Sequence, residues 1–95
     1  MDHVGATISQ LAGLNQLFHR KATEVEHLIA EINAAVGSPG GRGSVHWEGQ
    51  VAERFRHEWS SSFVPNLRRL IEALQQSGTY VERNRQSISQ VLNGA

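Results

Sequence analysis

Five histidines, a run of three serines, several neighbouring arginines and glutamates, and one Trp47-Glu48-Gly49 triplet are the groups in this 95-residue chain equipped for chemistry. The histidines His3, His19, His27, His46 and His57 would suit a metal. No two of them stand three or four apart, however, and the one Glu24-x-x-His27 arrangement has no counterpart on a second helix to complete a di-metal bundle. Ser60, Ser61 and Ser62 lack an acid and a base that a thin helical scaffold would gather into a pocket with them. The glycine-rich stretch Gly37-Ser38-Pro39-Gly40-Gly41-Arg42-Gly43-Ser44 lacks the Gly-Lys-Ser ending that cradles phosphates. No enzyme activity, metal or cofactor is therefore expected. His27 and His57 have Glu24 and Glu53 within one helical turn as surface partners. His3 and His46, at the chain start and the bend, are placed where a histidine would tune a partner contact.

Charge is balanced at zero. Residues 1–36 carry four acids against two bases, and residues 42–95 carry seven arginines against five glutamates. A split of two charges does not focus the positive field that nucleic-acid binding needs. Arg54, Arg56, Arg68 and Arg69 alternate with Glu53, Glu58 and Glu72 in the manner of a solvated helix face. With no cysteine, disulfides and thiolate ligands are excluded. Apolar runs of a few residues do not span a bilayer, so no stable membrane insertion is expected, and the first residues lack the basic start and apolar core of an ordinary signal peptide.

Two apolar stripes must position whatever these groups do. Ile8, Leu11, Leu14, Phe18, Ala22, Val25, Ile29, Ile32 and Val36 fall within an arc of about 120° at helical spacing. Leu17 and Leu28 widen it. The second stripe is Ala52, Phe55, Trp59, Phe63, Leu67, Leu70, Leu74, Val81, Ile88 and Leu92, in one phase across Pro65. The reading is an all-α antiparallel helix-turn-helix hairpin forming a single domain over 1–95. Its helix 1 covers residues 7–36 with Thr7 as cap, its turn residues 37–46, and its helix 2 residues 47–76 or beyond, with a weakly ordered tail over 77–95. At Pro65 the second helix either bends near Ser60-Ser61-Ser62 or stops and restarts with Asn66 as cap. The core candidates are Leu11, Leu14, Phe18, Val25, Ile29, Phe55, Trp59, Phe63, Leu67, Leu70 and Leu74. Two helices cannot cover stripes this broad, and leaving four large apolar side chains wet forfeits several kcal/mol at about 1.5–3 kcal/mol each. Two hairpins joined as a four-helix bundle recover that area.

The triplet Trp47-Glu48-Gly49 has its own physical reading. Trp47 lies off the second stripe, free to cap the hairpin end or to present its ring to a partner; Gly49 permits close approach of a tail; Glu48 would sit in the first turn of helix 2, where negative charge offsets the dipole. This triplet, midway along a chain near one hundred residues with a helical stripe on each side and no cysteine, resembles the WXG family of small helical hairpins. These are substrates of type VII secretion in Gram-positive bacteria. The resemblance implies a homodimer or heterodimer with a second such hairpin, exported folded by a secretion ATPase without an ordinary signal peptide, some members serving as effectors or chaperone partners. It also implies a tail signal of Tyr, three residues, then Asp or Glu. Tyr80 matches the tyrosine, but Asn84 stands where the acid belongs. A mate supplying the intact Tyr-x-x-x-Asp/Glu tail would complete a signal to which this chain contributes Trp47 and Gly49. The alternative is a cytoplasmic adaptor that is not exported.

Overall fold

The computed structural model describes the backbone of residues 2–94 and the side chains of residues 7–92; the side chain of His3 lies outside them. Helix α1 spans Asp2–Val36, α2 spans Gln50–Glu58, a wide π turn covers Trp59–Phe63, and α3 runs over Val64–Gly94. Among the described residues all regular structure is helical, and none of the helices is long and apolar enough to cross a membrane.

The elements build two compact units, Met1–Ala22 with Glu72–Ala95, and Thr23–Ile71. In the second unit the end of α1 and the α2 arm run side by side in opposite directions. Asn33 meets Trp59 and, one turn further up α1, Val36 meets Arg56 one turn back on the other arm. Ile29, Ala52, Trp59 and Ile71 are its buried apolar side chains. The first unit pairs its two segments in opposite directions as well: the Asn15 amide donates to Glu82 at 3.3 Å. Gly78 is buried there, and a methyl group in its place would lie 2.7 Å from His19 Nε2. Among the described residues, Ala22 is the buried apolar side chain of that unit.

Several boundaries differ from the sequence reading. Helix α1 already includes Asp2, so Thr7 is an interior residue and not a cap; once a helix is nucleated, each added residue gains a hydrogen bond without a new nucleation cost. The connection extends through Gly49, which leaves Trp47 and Glu48 outside the second helix. Residues 77–94, expected as a loose tail, are helical. The face that carries them is polar and therefore weak in an apolar count: Glu82 is clasped by the Arg85 guanidinium at 2.9 and 3.1 Å and by Asn15. Arg85 and Asn15 pull the Glu82 carboxyl below its ordinary pKa, Arg85 first, and Glu82 in turn raises that of Arg85.

Pro65 explains the π turn. It has no N–H to offer the carbonyl of Ser61, and its ring crowds the preceding turn. The chain opens the helix by one residue, with the Val64 N–H reaching back to Trp59, and the Ser61 hydroxyl donates to the His57 carbonyl at 2.6 Å. One extra residue rotates every later side chain by about 100° relative to the earlier ones. Upstream, the inward positions are Ala52, Arg56 and Trp59. Downstream they fall on Val64, Leu67, Ile71, Leu74 and Gly78, so that Val64 and Ile71 take the places an unbroken helix would give to Phe63 and Leu70. Phe63 and Leu70, expected as members of the stripe, consequently face solvent in the single chain.

Candidate recognition bend

The last four carbonyls of a helix have no partner within it, and in α1 each of them is answered. Gly37 N–H reaches Asn33 O at 2.8 Å, Ser44 N–H reaches Ala34 O at 2.8 Å, and Val45 N–H reaches Ala35 O at 3.0 Å. The fourth, Val36 O, accepts from Arg56 Nε at 2.8 Å. The loop doubles back over the helix end because Gly37 turns it with φ 88° and because Gly43 has no side chain. A Cβ on Gly43 would strike the carbonyls of Ala34 and Ala35.

Arg56 joins this end of α1 to the triplet. Its side chain is 4% exposed. Beyond Val36, the guanidinium donates to the Trp47 carbonyl and to Glu53 Oε2 at 3.4 Å, while Glu53 Oε1 accepts the Gly40 N–H. A buried cation is costly unless it is met on all sides. This one finds two carbonyls and a carboxylate in the plane of its fork, at a helix end where the backbone dipole favours positive charge. The Gly40 N–H, followed by Arg56 and His57, holds the Glu53 carboxyl below the usual glutamate pKa.

Trp47 hangs from this frame with 36% of its surface exposed. Its ring centroid lies 5.6 Å from that of Phe55, and Phe55, Trp59 and Phe63 continue a ladder of rings at 6.4 and 6.3 Å. Trp59 is the buried rung, its indole N–H donating to Asn33 Oδ1 at 2.6 Å. Phe63, the last rung, is 42% exposed. On either side of Trp47, Arg42 pairs with Glu48 at 2.7 Å and touches the His46 ring, all in the open. Exposed pairs of this kind contribute roughly 0–1 kcal/mol. Glu48 is thus an ion-pair partner within the loop and does not occupy the first turn of α2.

Gly49 serves a different end from the close approach expected of it. Its φ of 109° with ψ 177° is a backbone state that side-chain-bearing residues avoid. Nothing lies within 4 Å of where a Cβ would stand. The residue therefore sets the direction of the chain into α2, whose first return bond runs from Glu53 N–H to Gly49 O at 3.0 Å.

The bend brings together Trp47 and Gly49, while Tyr80 belongs to the other unit, on α3, 76% exposed beside a shallow groove formed with Glu72, Gln76 and Arg83. Of the other core candidates, Ile29 is buried with Trp59; Leu11, Phe18, Val25, Phe55, Leu67 and Leu74 are half-buried; Leu14 joins Phe63 and Leu70 at the surface. The alternating charges place Arg56 on a solvated face, and its burial corrects that expectation. The signal available was its place four residues after Ala52 and three before Trp59, inside the apolar stripe. The serines of the π turn are engaged with the backbone: both Ser60 and Ser61 donate to His57 O. Among the described residues no three His, Asp or Glu side chains gather in a way that would hold a metal ion.

No protein-family model, curated protein or solved structure matches this chain.

Proposed function

We propose that this protein is a WXG-type helical hairpin that works as a dimer, exported by a type VII secretion machine and acting through contact with other proteins. The observation that carries the reading is uncovered apolar surface. Leu14, Leu17, Leu28, Val51, Phe63, Leu70, Val91 and Leu92 are all more than a third exposed. The accessible area is 6755 Å², about 1,300 Å² more than size scaling gives for a compact monomer of this mass. A stable protein interface hides about 800 Å² per partner, so a second hairpin completing a four-helix bundle would cover more than half of the excess. The partner is a second copy or a related hairpin that brings the acidic tail residue absent at Asn84. Trp47, held in the bend and partly exposed, suits the role of recognition element, with a secretion ATPase as the reader that the resemblance implies.

A second reading has one specific observation in its favour: Tyr80 stands exposed with Asn84, not an acid, four residues on. A chain without its own tail signal would then serve as a cytoplasmic adaptor or as the chaperone partner of a secreted substrate.

Light scattering on a sizing column, with the chain alone and after co-expression with a related hairpin that carries a Tyr-x-x-x-Asp/Glu tail, tests the dimer. A monomer at high concentration in both preparations would refute it. Appearance in the culture medium, abolished by Trp47→Ala with helicity retained, separates the exported from the resident reading.

A further inference from the structure

The reading of Trp47 as a recognition element leaves open what aims it. The loop from Gly40 to Gly49 has little apolar anchorage of its own: Val45 is 53% exposed and Trp47 36%. Gly43 and two backbone bonds to α1 seat the loop as far as Val45, but beyond it the ion pair of Arg42 with Glu48 is exposed at 49% and 65%. The buried tie on the triplet is the hydrogen bond from Arg56 to the Trp47 carbonyl.

We propose that Arg56 is the positioning residue for Trp47, fixing the angle at which the ring is offered to a partner, with Glu53 holding the guanidinium in register. The proposal rests on the functional reading given above. One planar fork spans three segments. Nε grips Val36 at the end of α1, Nη2 grips Trp47 in the loop, and Nη1 meets Glu53 on α2, whose other oxygen holds Gly40. The arrangement locks the triplet's backbone to both arms of the hairpin at one point, and Phe55 supports the ring from below. A lysine at this position would keep the charge and much of the buried stem, but an ammonium group is a single point donor and cannot hold three acceptors in a plane.

The experiment uses the full chain labelled with ¹⁵N. Its two tryptophans give two indole N–H resonances, and Trp47 is assigned by the signal lost in Trp47→Phe. In Arg56→Lys the Trp47 resonance is expected to shift and broaden, and its ring to become more open to acrylamide. The Trp59 resonance, held by Asn33, and the far-ultraviolet helicity stay as they were. Glu53→Gln gives a smaller change in the same direction. An unmoved Trp47 signal in a folded Arg56→Lys protein overturns the proposal. Should that variant lose its helices, Glu53→Gln decides in its place, a selective Trp47 shift supporting the proposal and an unchanged one overturning it.

The consequence for binding is read by self-association in sedimentation equilibrium. Arg56→Lys weakens it by about tenfold, the loss of one charge-assisted hydrogen bond. The double variant with Trp47→Ala is no weaker than Trp47→Ala alone, because both act through one ring; additive losses overturn the proposal. If Trp47→Ala leaves association and export intact, the functional reading of the triplet fails and the partner half of this proposal falls with it. The resonance shifts then still decide, independently of binding, whether Arg56 positions the ring.

Discussion

Replacing Ile71 and its neighbour Leu70, one at a time, by alanine tests the packing of this chain at its least intuitive point. An unbroken helical stripe puts Leu70 inside. The π turn at Trp59–Phe63 puts Ile71 there instead: Ile71 is 5% exposed and Leu70 44%. Ile71→Ala removes buried methylene groups and leaves a void, which costs about 2–5 kcal/mol. Leu70→Ala removes a side chain little more than half covered. Half of the roughly 1.5–3 kcal/mol for a fully buried leucine is about 1 kcal/mol. Urea denaturation at low micromolar protein measures both, with the slope checked for constancy. If Leu70 lies in the proposed dimer contact, its alanine variant also loses stability in a concentration-dependent way, since association adds to the apparent folding free energy. Ile71→Ala is penalised equally at every concentration. Equal losses for the two variants in dilute solution would refute the one-residue shift, and with it the argument that Phe63 and Leu70 are available to a partner.

Other outcomes are also expected. Gly49→Ala loses about 1–3 kcal/mol in urea denaturation purely through backbone strain at φ 109°, since open space surrounds its Cβ position; a neutral substitution would mean the loop relaxes freely. Trp59→Phe strands the Asn33 side-chain oxygen in a part-buried position and costs about 1–3 kcal/mol, with the helices still formed by circular dichroism. The carboxyls of Glu53 and Glu82 both titrate below their ordinary value of 4.5, Glu53 chiefly through the Gly40 N–H and Glu82 through Arg85. Groups with depressed folded pKa values contribute stability above the unfolded pKa and lose it as pH falls through the folded one. The melting temperature is therefore expected to be level near neutrality and to drop in acid below that range, less steeply in Glu53→Gln. A melting temperature that rises on acidification would contradict both assignments.

How much of the fold was legible in the amino-acid pattern depended on whether local periodicity stayed unbroken. From Ile8 to Val36 the stripe is regular and Ala22 and Ile29 emerge buried on it. The glycine-rich run after Val36 ends the helix as its residue types require. Beyond the π turn the 100° count keeps Leu67 and Leu74 inward but puts Leu70 where Ile71 stands, because it assumes 3.6 residues per turn throughout and the chain spends one extra residue there. The end of α3 was obscured for a different reason. The face at Asn15, Glu82 and Arg85 is held by polar contacts, and a search for large apolar residues sees only thinning. Asn15 Oδ1 is buried there without a hydrogen-bond partner, a feature no hydropathy pattern contains.

The bend was legible as a place but not as a mechanism. Trp47 and Gly49 announce themselves by residue type, whereas Arg56 resembles every other arginine in an alternating charged stretch. What distinguishes it is the supply of acceptors: Val36 is twenty positions away and Trp47 nine, and neither contributes a side-chain atom to the bond. Backbone carbonyls carry no residue signature, and the one acid paired with Arg56, Glu53, looks in the sequence like any other i,i+3 surface pair. The apolar stripe does offer one clue, because a charge among Ala52, Phe55 and Trp59 must be either exposed by a local twist or fully met by acceptors. The helix is regular at that point, which removes the first alternative. The second then requires the end of α1 and the loop to deliver the Val36 and Trp47 carbonyls to Arg56, a requirement that sets the course of the chain from Val36 to Trp47 together with the turn at Gly37 and the close approach at Gly43.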